Sequence, residues 1–160
     1  MKKFLRILEI VGAAFLIGYG IGIVLDKIMK PNKNEAGYIG QSEIKIENGV
    51  MTPEVLLALG RISDPQLSPD GSRILYGVSY TSVEQNRSCR NLFAMDADGS
   101  NPVQLTRYSK SVSNARWAPD GKSVYFLLDG QIWQAAYGGK KLGARRCLSD
   151  VPSGISEFKI

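Results

Sequence analysis

The chain has 160 residues, a formal charge of +5 and no histidine. That length allows one ordinary domain. The lack of imidazole excludes a self-contained Ser-His-Asp or Cys-His catalytic unit and removes the commonest zinc ligand. Residues 1–36 hold six Lys/Arg against three acids, and the remainder fourteen against twelve. The basicity therefore belongs to the flanks of one apolar segment and points to a membrane surface, not to nucleic acid.

Met1-Lys2-Lys3-Phe4-Leu5-Arg6 is basic, and Ile7 to Leu25 is a nineteen-residue run whose only charge is Glu9. A span needs about 20 apolar residues, whereas runs of roughly 10–14 are more typical of a signal-peptide core. The following Asp26-Lys27-Ile28-Met29-Lys30-Pro31 is charged and bulky, and Glu35-Ala36-Gly37 makes a late, imperfect cleavage site. Residues 1–30 read as an uncleaved transmembrane anchor, with a cleaved signal peptide as the rival. The charge balance favours the N-terminus inside, which puts the body outside the cytoplasm, in a periplasm or at the cell surface. Ala14, Gly18 and Gly22 make a small-residue ridge that suits a bare spanning helix as well as a helix pair. Residues 31–50, with Pro31, Asn32, Asn34, Gly37 and Gly40, read as a linker, and 51–160 as the folded body.

Thr52-Pro53-Glu54-Val55-Leu56-Leu57-Ala58-Leu59-Gly60 predicts a short helix, with Thr52 as cap, Pro53 in the first turn and Gly60 as a left-handed stop. After it the period changes to two. Ser68-Pro69-Asp70-Gly71 precedes a β-rich run, Arg73 to Tyr80, that places Ile74, Tyr76, Val78 and Tyr80 on one face. Asn91 to Met95 and Val103 to Thr106 follow. Fifty residues on, Ala118-Pro119-Asp120-Gly121 opens a second set: Val124 to Leu128, Gln131 to Gln134 and Arg146 to Ser149. In each Pro-Asp-Gly, Pro fixes φ, Asp bonds its own backbone and Gly accepts positive φ, so each is a turn between strands. Gly154 to Ile160 resembles Ser111 to Trp117 and reads as the start of a third copy. Repeats of this period, with four short strands each, are propeller blades.

Several smaller signals have bland readings. Asp96 to Asn101 lacks the oxygen spacing and distal Glu of a calcium loop and reads as a hairpin tip. Asn86-Arg87-Ser88 is a sequon that only a secretory eukaryotic setting would use. Lys140, Lys141, Arg145 and Arg146 read as a solvated basic hairpin. Trp117, Phe126 and Trp133 read as core. Cys89 and Cys147 are either separate thiols or a single bridge.

Met51 to Leu56, Gly60-Arg61-Ile62, the first Pro-Asp-Gly, and Asn91 to Asp96 with Asp98-Gly99-Ser100-Asn101 resemble the start of the propeller in dipeptidyl peptidases of the prolyl oligopeptidase family. The resemblance covers about residues 42–160. Pro-Asp-Gly repeats alone are also similar to those of TolB-type periplasmic propellers. The peptidase resemblance implies a C-terminal α/β-hydrolase domain carrying Ser, Asp and His, with the propeller restricting which peptides reach it. These 160 residues do not include that domain, so no catalytic residue carries over, and neither Glu84 nor Glu157 matches the peptide-binding glutamates of some relatives.

The expected fold is thus all-β: an incomplete β-propeller of two four-stranded blades, residues 63–107 and 111–150, plus the first strand of a third, 155–160. A transmembrane helix and a short helix precede it. No catalytic, cofactor-binding or metal residue is assigned. The expected function is a membrane-anchored, non-catalytic propeller segment that gates substrate or contacts a protein, a peptide or a complementing propeller or hydrolase chain. The alternative is a TolB-like envelope protein-binding module.

Overall fold

The computed structural model describes residues 37–43, 46 and 49–160. The expected membrane segment, residues 1–30, lies outside the described residues. Among the described residues no helix is long and apolar enough to cross a membrane.

Thr52 caps α1 (Pro53–Ala58): its Oγ1 accepts the Val55 amide at 3.3 Å, and Pro53 stands in the first turn. There its missing N–H removes no helical bond. Val55 is buried, while Leu56 and Leu59 remain about half exposed. The stop differs from the expectation. Leu59 leaves the helix in extended backbone, φ −68° and ψ 133°, and Gly60 does not take positive φ. What Gly60 provides is clearance, since a Cβ there would lie 2.7 Å from Tyr80 Cε1 and 2.9 Å from Val78 Cγ1.

Two four-stranded antiparallel sheets follow, each in sequential strand order. Sheet 1 is β1 (Arg61–Leu67), β2 (Arg73–Ser82), β3 (Arg87–Asp96) and β4 (Val103–Gln104). Sheet 2 is β5 (Val112–Trp117), β6 (Ser123–Leu128), β7 (Gln131–Tyr137) and β8 (Leu142–Cys147). The all-β reading with two equivalent sheets holds, and the pair is propeller-like without closing. Both Pro-Asp-Gly turns form as their chemistry requires. Gly71 and Gly121 have φ of 73° and 68°, and their amides reach the Ser68 and Ala118 carbonyls at 2.9 Å in each case. Asp70 and Asp120 accept the amides of Ser72 (3.1 Å) and Lys122 (2.9 Å).

The first strand of each sheet also carries a bulge at the same place. Register shifts between Ser63 and Gln66 in β1, and between Ser113 and Arg116 in β5. Within each bulge sits a non-glycine residue with positive φ, Asp64 at 51° and Asn114 at 48°. Asp and Asn are the side chains that tolerate this region best.

The core lies between the sheets. Leu75, Leu92, Ala94 and Leu105 of sheet 1 meet Val112, Trp117, Val124, Phe126, Leu128 and Ala135 of sheet 2. Leu75 pairs with Ala94 and Gly77 with Leu92, so Leu75 and Gly77 share the face turned to sheet 2. Ile74, Tyr76, Val78 and Tyr80 share one face of β2, as expected, and it is the face turned away from sheet 2. There Tyr76 stacks on Phe93 with ring centroids 5.8 Å apart. Leu75 to Val78 are buried on both faces of β2, and alternation alone does not say which face meets the neighbouring sheet.

Two further boundaries move. β8 starts at Leu142, earlier than the expected run, and Leu148 and Ser149 lie beyond it. Residues 155–160 are not a strand. Ile155 N–H reaches the Gly130 carbonyl at 2.7 Å, and Asn114 Nδ2 reaches the Phe158 carbonyl at 3.0 Å. Those isolated bonds are not a ladder, which needs a paired neighbour along its length.

Candidate functional site

The polar groups of the body gather where the first strands meet between sheets. Arg116 Nη1 lies 3.0 and 2.9 Å from the two Asp64 oxygens and 2.7 Å from the Ala115 carbonyl. The guanidinium thus joins the β1 bulge to β5. Trp117 Nε1 donates to the Gln66 carbonyl at 3.2 Å. Arg90, from β3, crosses the same gap, with Nε donating to the Val112 carbonyl at 2.7 Å and Nη1 to Ser63 Oγ at 3.1 Å. Gly77 makes room for it, since a Cβ there would lie 2.8 Å from Arg90 Cδ. Where Arg116 stands at the first joint, the second uses a shorter device: Asn114 donates directly to the Phe158 carbonyl, and its buried Oδ1 has no partner among the described residues.

Another pattern recurs in the middle of β3 and at the start of β7. Asn91 Oδ1 accepts the Thr106 hydroxyl and the Tyr108 amide, each at 2.8 Å, while its Nδ2 donates to the Tyr108 carbonyl at 3.1 Å. Thr106 Oγ1 in turn accepts the Leu92 amide at 2.9 Å. In sheet 2, Gln131 Oε1 takes the Ser149 hydroxyl (2.7 Å) and the Val151 amide (3.0 Å), and Nε2 donates to the Val151 carbonyl at 2.8 Å. Ser149 Oγ accepts the Ile132 amide at 2.8 Å. This side-chain amide clamp fixes the chain as it leaves one sheet for the next. Sequence reasoning missed it, although each amide directly precedes the apolar pairs Leu92-Phe93 and Ile132-Trp133.

The remaining candidates are placed apart. Asp96, Asp98 and Asn101 do not converge as ligands. Asp96 pairs with Arg73 at 2.9 Å and accepts from Asn101 Nδ2 at 2.7 Å, and Asp98 accepts the Ser100 amide at 2.8 Å. Among the described residues no group of three or more His, Cys, Asp or Glu is arranged to hold a metal ion. Cys89 is buried and Cys147 exposed, and both are free thiols. Burial pushes the Cys89 thiol up from its ordinary value. Asn86 stands at the exposed β2–β3 turn with φ 47°. Phe126 and Trp117 are core, with Trp133 partly buried against them. The basic hairpin is not wholly solvated. Lys140, Lys141 and Arg146 are exposed, but the Arg145 guanidinium lies between Tyr108 and Trp133, 4.6 and 4.7 Å from their ring centroids. A cleft of about 430 Å³ is lined by Arg73, Asn101, Pro102, Val103, Gly139 and Lys140. It offers no nucleophile beside a base.

No family model matches the chain. It is 37% identical over 114 residues to dipeptidyl-peptidase 5 of Porphyromonas endodontalis, a match covering 70% of this chain and 16% of that protein. The uncharacterized peptidase YuxL of Bacillus subtilis is 29% identical over 110 residues, covering 68% of this chain and 17% of YuxL. A shorter match, 38% over 52 residues, relates 31% of this chain to 12% of the Tol-Pal system protein TolB of Legionella pneumophila. The chain spans about one sixth of the length of the two peptidases. These matches bear out the resemblance read from the motifs: the chain is homologous to part of peptidases of the dipeptidyl-peptidase 5 kind, and its two sheets are propeller-like.

Proposed function

We propose that the chain is a non-catalytic, membrane-anchored propeller segment of a serine dipeptidyl-peptidase-like protein, which gates peptides or contacts a partner instead of cleaving bonds. The supporting observation is the 37% identity to dipeptidyl-peptidase 5 over a span of only 16% of that protein, in a chain that has no histidine. Cleavage by the route of its relatives' family would require a Ser-His-Asp hydrolase domain alongside it. Residues 7–25 support the anchor by their length and by the absence of a good cleavage site after them. The chain, purified away from host peptidases, is expected to release no product from dipeptidyl chromogenic substrates, and to stay with the membrane pellet under carbonate extraction with its first residues intact. Turnover that follows the protein through several columns overturns the non-catalytic reading. A soluble product beginning near Gly37 overturns the anchor.

The match to TolB supports a second reading, a binding module for envelope proteins. Further Pro-Asp-Gly repeats with no hydrolase domain, encoded downstream of Ile160, would favour it.

A further inference from the structure

Residues 37–39 do not pair with any strand, yet they are fixed on sheet 1. The Gly37 carbonyl accepts from Arg87 Nη2. Arg87 Nη1 donates to the Ser109 carbonyl at 2.7 Å, so one guanidinium ties this segment to the chain that leaves β4. Gln85 Oε1 holds the same guanidinium at 3.1 and 2.9 Å. The Tyr38 hydroxyl accepts from Gln104 Nε2 at 2.8 Å, and the Arg107 guanidinium lies 5.8 Å from the Tyr38 ring centroid. Ile39 is 5% exposed. Cys89, 1% exposed, stands two residues along β3 from Arg87 and on the same face, and its thiol donates to the Tyr108 carbonyl at 3.1 Å.

We propose that residues 37–39 form a strap over the end of sheet 1 that opens as a unit before the sheets do, with Arg87 as its pin and Cys89 as the group it covers. A strap held by a few side-chain bonds and one buried isoleucine belongs to the low-stability end of a fold, whereas a core sheet opens only near the global limit. Opening it breaks no strand ladder. The residues just beyond it, Gln41 to Glu43, are exposed and leave room for the hinge. The inference needs neither the anchor nor the peptidase reading.

The two thiols supply the test, with exposed Cys147 as internal reference. In the full chain, iodoacetamide should label Cys147 first and Cys89 at least about 100-fold more slowly, through local opening. R87A removes the pin and should speed Cys89 labelling about tenfold, the factor for roughly 1.4 kcal/mol of lost hydrogen bonding, with Cys147 unchanged. I39A should act in the same direction with Arg87 in place, and it serves if R87A does not fold. V112A weakens the core between the sheets without touching the strap and should leave Cys89 labelling unchanged in native conditions. Equal Cys89 rates in wild type, R87A and I39A overturn the strap. So does acceleration by V112A as large as that by R87A, because Cys89 labelling would then report global unfolding in both variants.

Discussion

Asp70 shows how a turn residue acquires a pH dependence. The Ser68 hydroxyl first, then the Ser72 hydroxyl and amide, hold its carboxyl down from 3.8 to about 2. The folded state therefore favours the carboxylate. The stabilisation is fully present above the ordinary carboxyl range and is lost as pH falls from about 4 toward 2. D70N is expected to melt below wild type at neutral pH, with the gap closing by about pH 2, in thermal scans across that range. Asp64 and Arg116 carry a different load. Their side chains are only 28% and 27% exposed, so truncating the arginine leaves a half-buried carboxylate and the Ala115 carbonyl short of a partner. R116A should cost about 1–3 kcal/mol in denaturant unfolding, and D64N less, since an amide oxygen still accepts from the guanidinium.

At the scale of elements, the amide clamps set how each sheet hands the chain on. Asn91 is 2% exposed, and N91A would strand the Tyr108 amide and the Thr106 hydroxyl in the interior. A loss of about 3 kcal/mol or more is expected, against less than about 1 kcal/mol for N91Q if the longer amide repeats what Gln131 does. Hydrogen exchange at Tyr108 would show whether the clamp has failed locally. The Pro-Asp-Gly turns and the two sheets, though not the expected strand 155–160, were legible in the sequence because their causes are local: Pro, Asp and Gly act within four residues, and alternation acts within one strand. The clamps were not, because their partners lie 15 to 20 residues apart and are ordinary polar side chains in ordinary positions. Gly60 misled for a related reason. Glycine after a helix suggests a left-handed stop, yet here the constraint is the bulk of Val78 and Tyr80 on a strand yet to come. Arg145 was likewise indistinguishable by sequence from its solvated neighbours until Tyr108 and Trp133 closed around it.

For the molecule as a whole, the repeat makes positions fifty residues apart chemically equivalent while their surroundings differ. Ile62 and Leu67 of β1 match Val112 and Trp117 of β5 in both sequence spacing and register. Val112 is 0% exposed and Trp117 8%, against sheet 1, whereas Ile62 is 69% exposed and Leu67 61%. The β1 edge of sheet 1 therefore presents outward, uncovered, apolar side chains of the kind that sheet 2 buries against it. Repeats of this sort draw their stability from neighbour interfaces, so equal substitutions should have unequal effects. V112A is expected to cost about 1–2 kcal/mol of unfolding free energy, and I62A to stay within about 0.5 kcal/mol. The paired substitution I62S/L67S should leave the melting midpoint nearly unchanged and reduce concentration-dependent association in light scattering, because exposed apolar patches on open sheets invite it. A loss for I62A as large as for V112A would mean that the outer face of sheet 1 is covered in solution, and the two-sheet unit would then not be the state that unfolds.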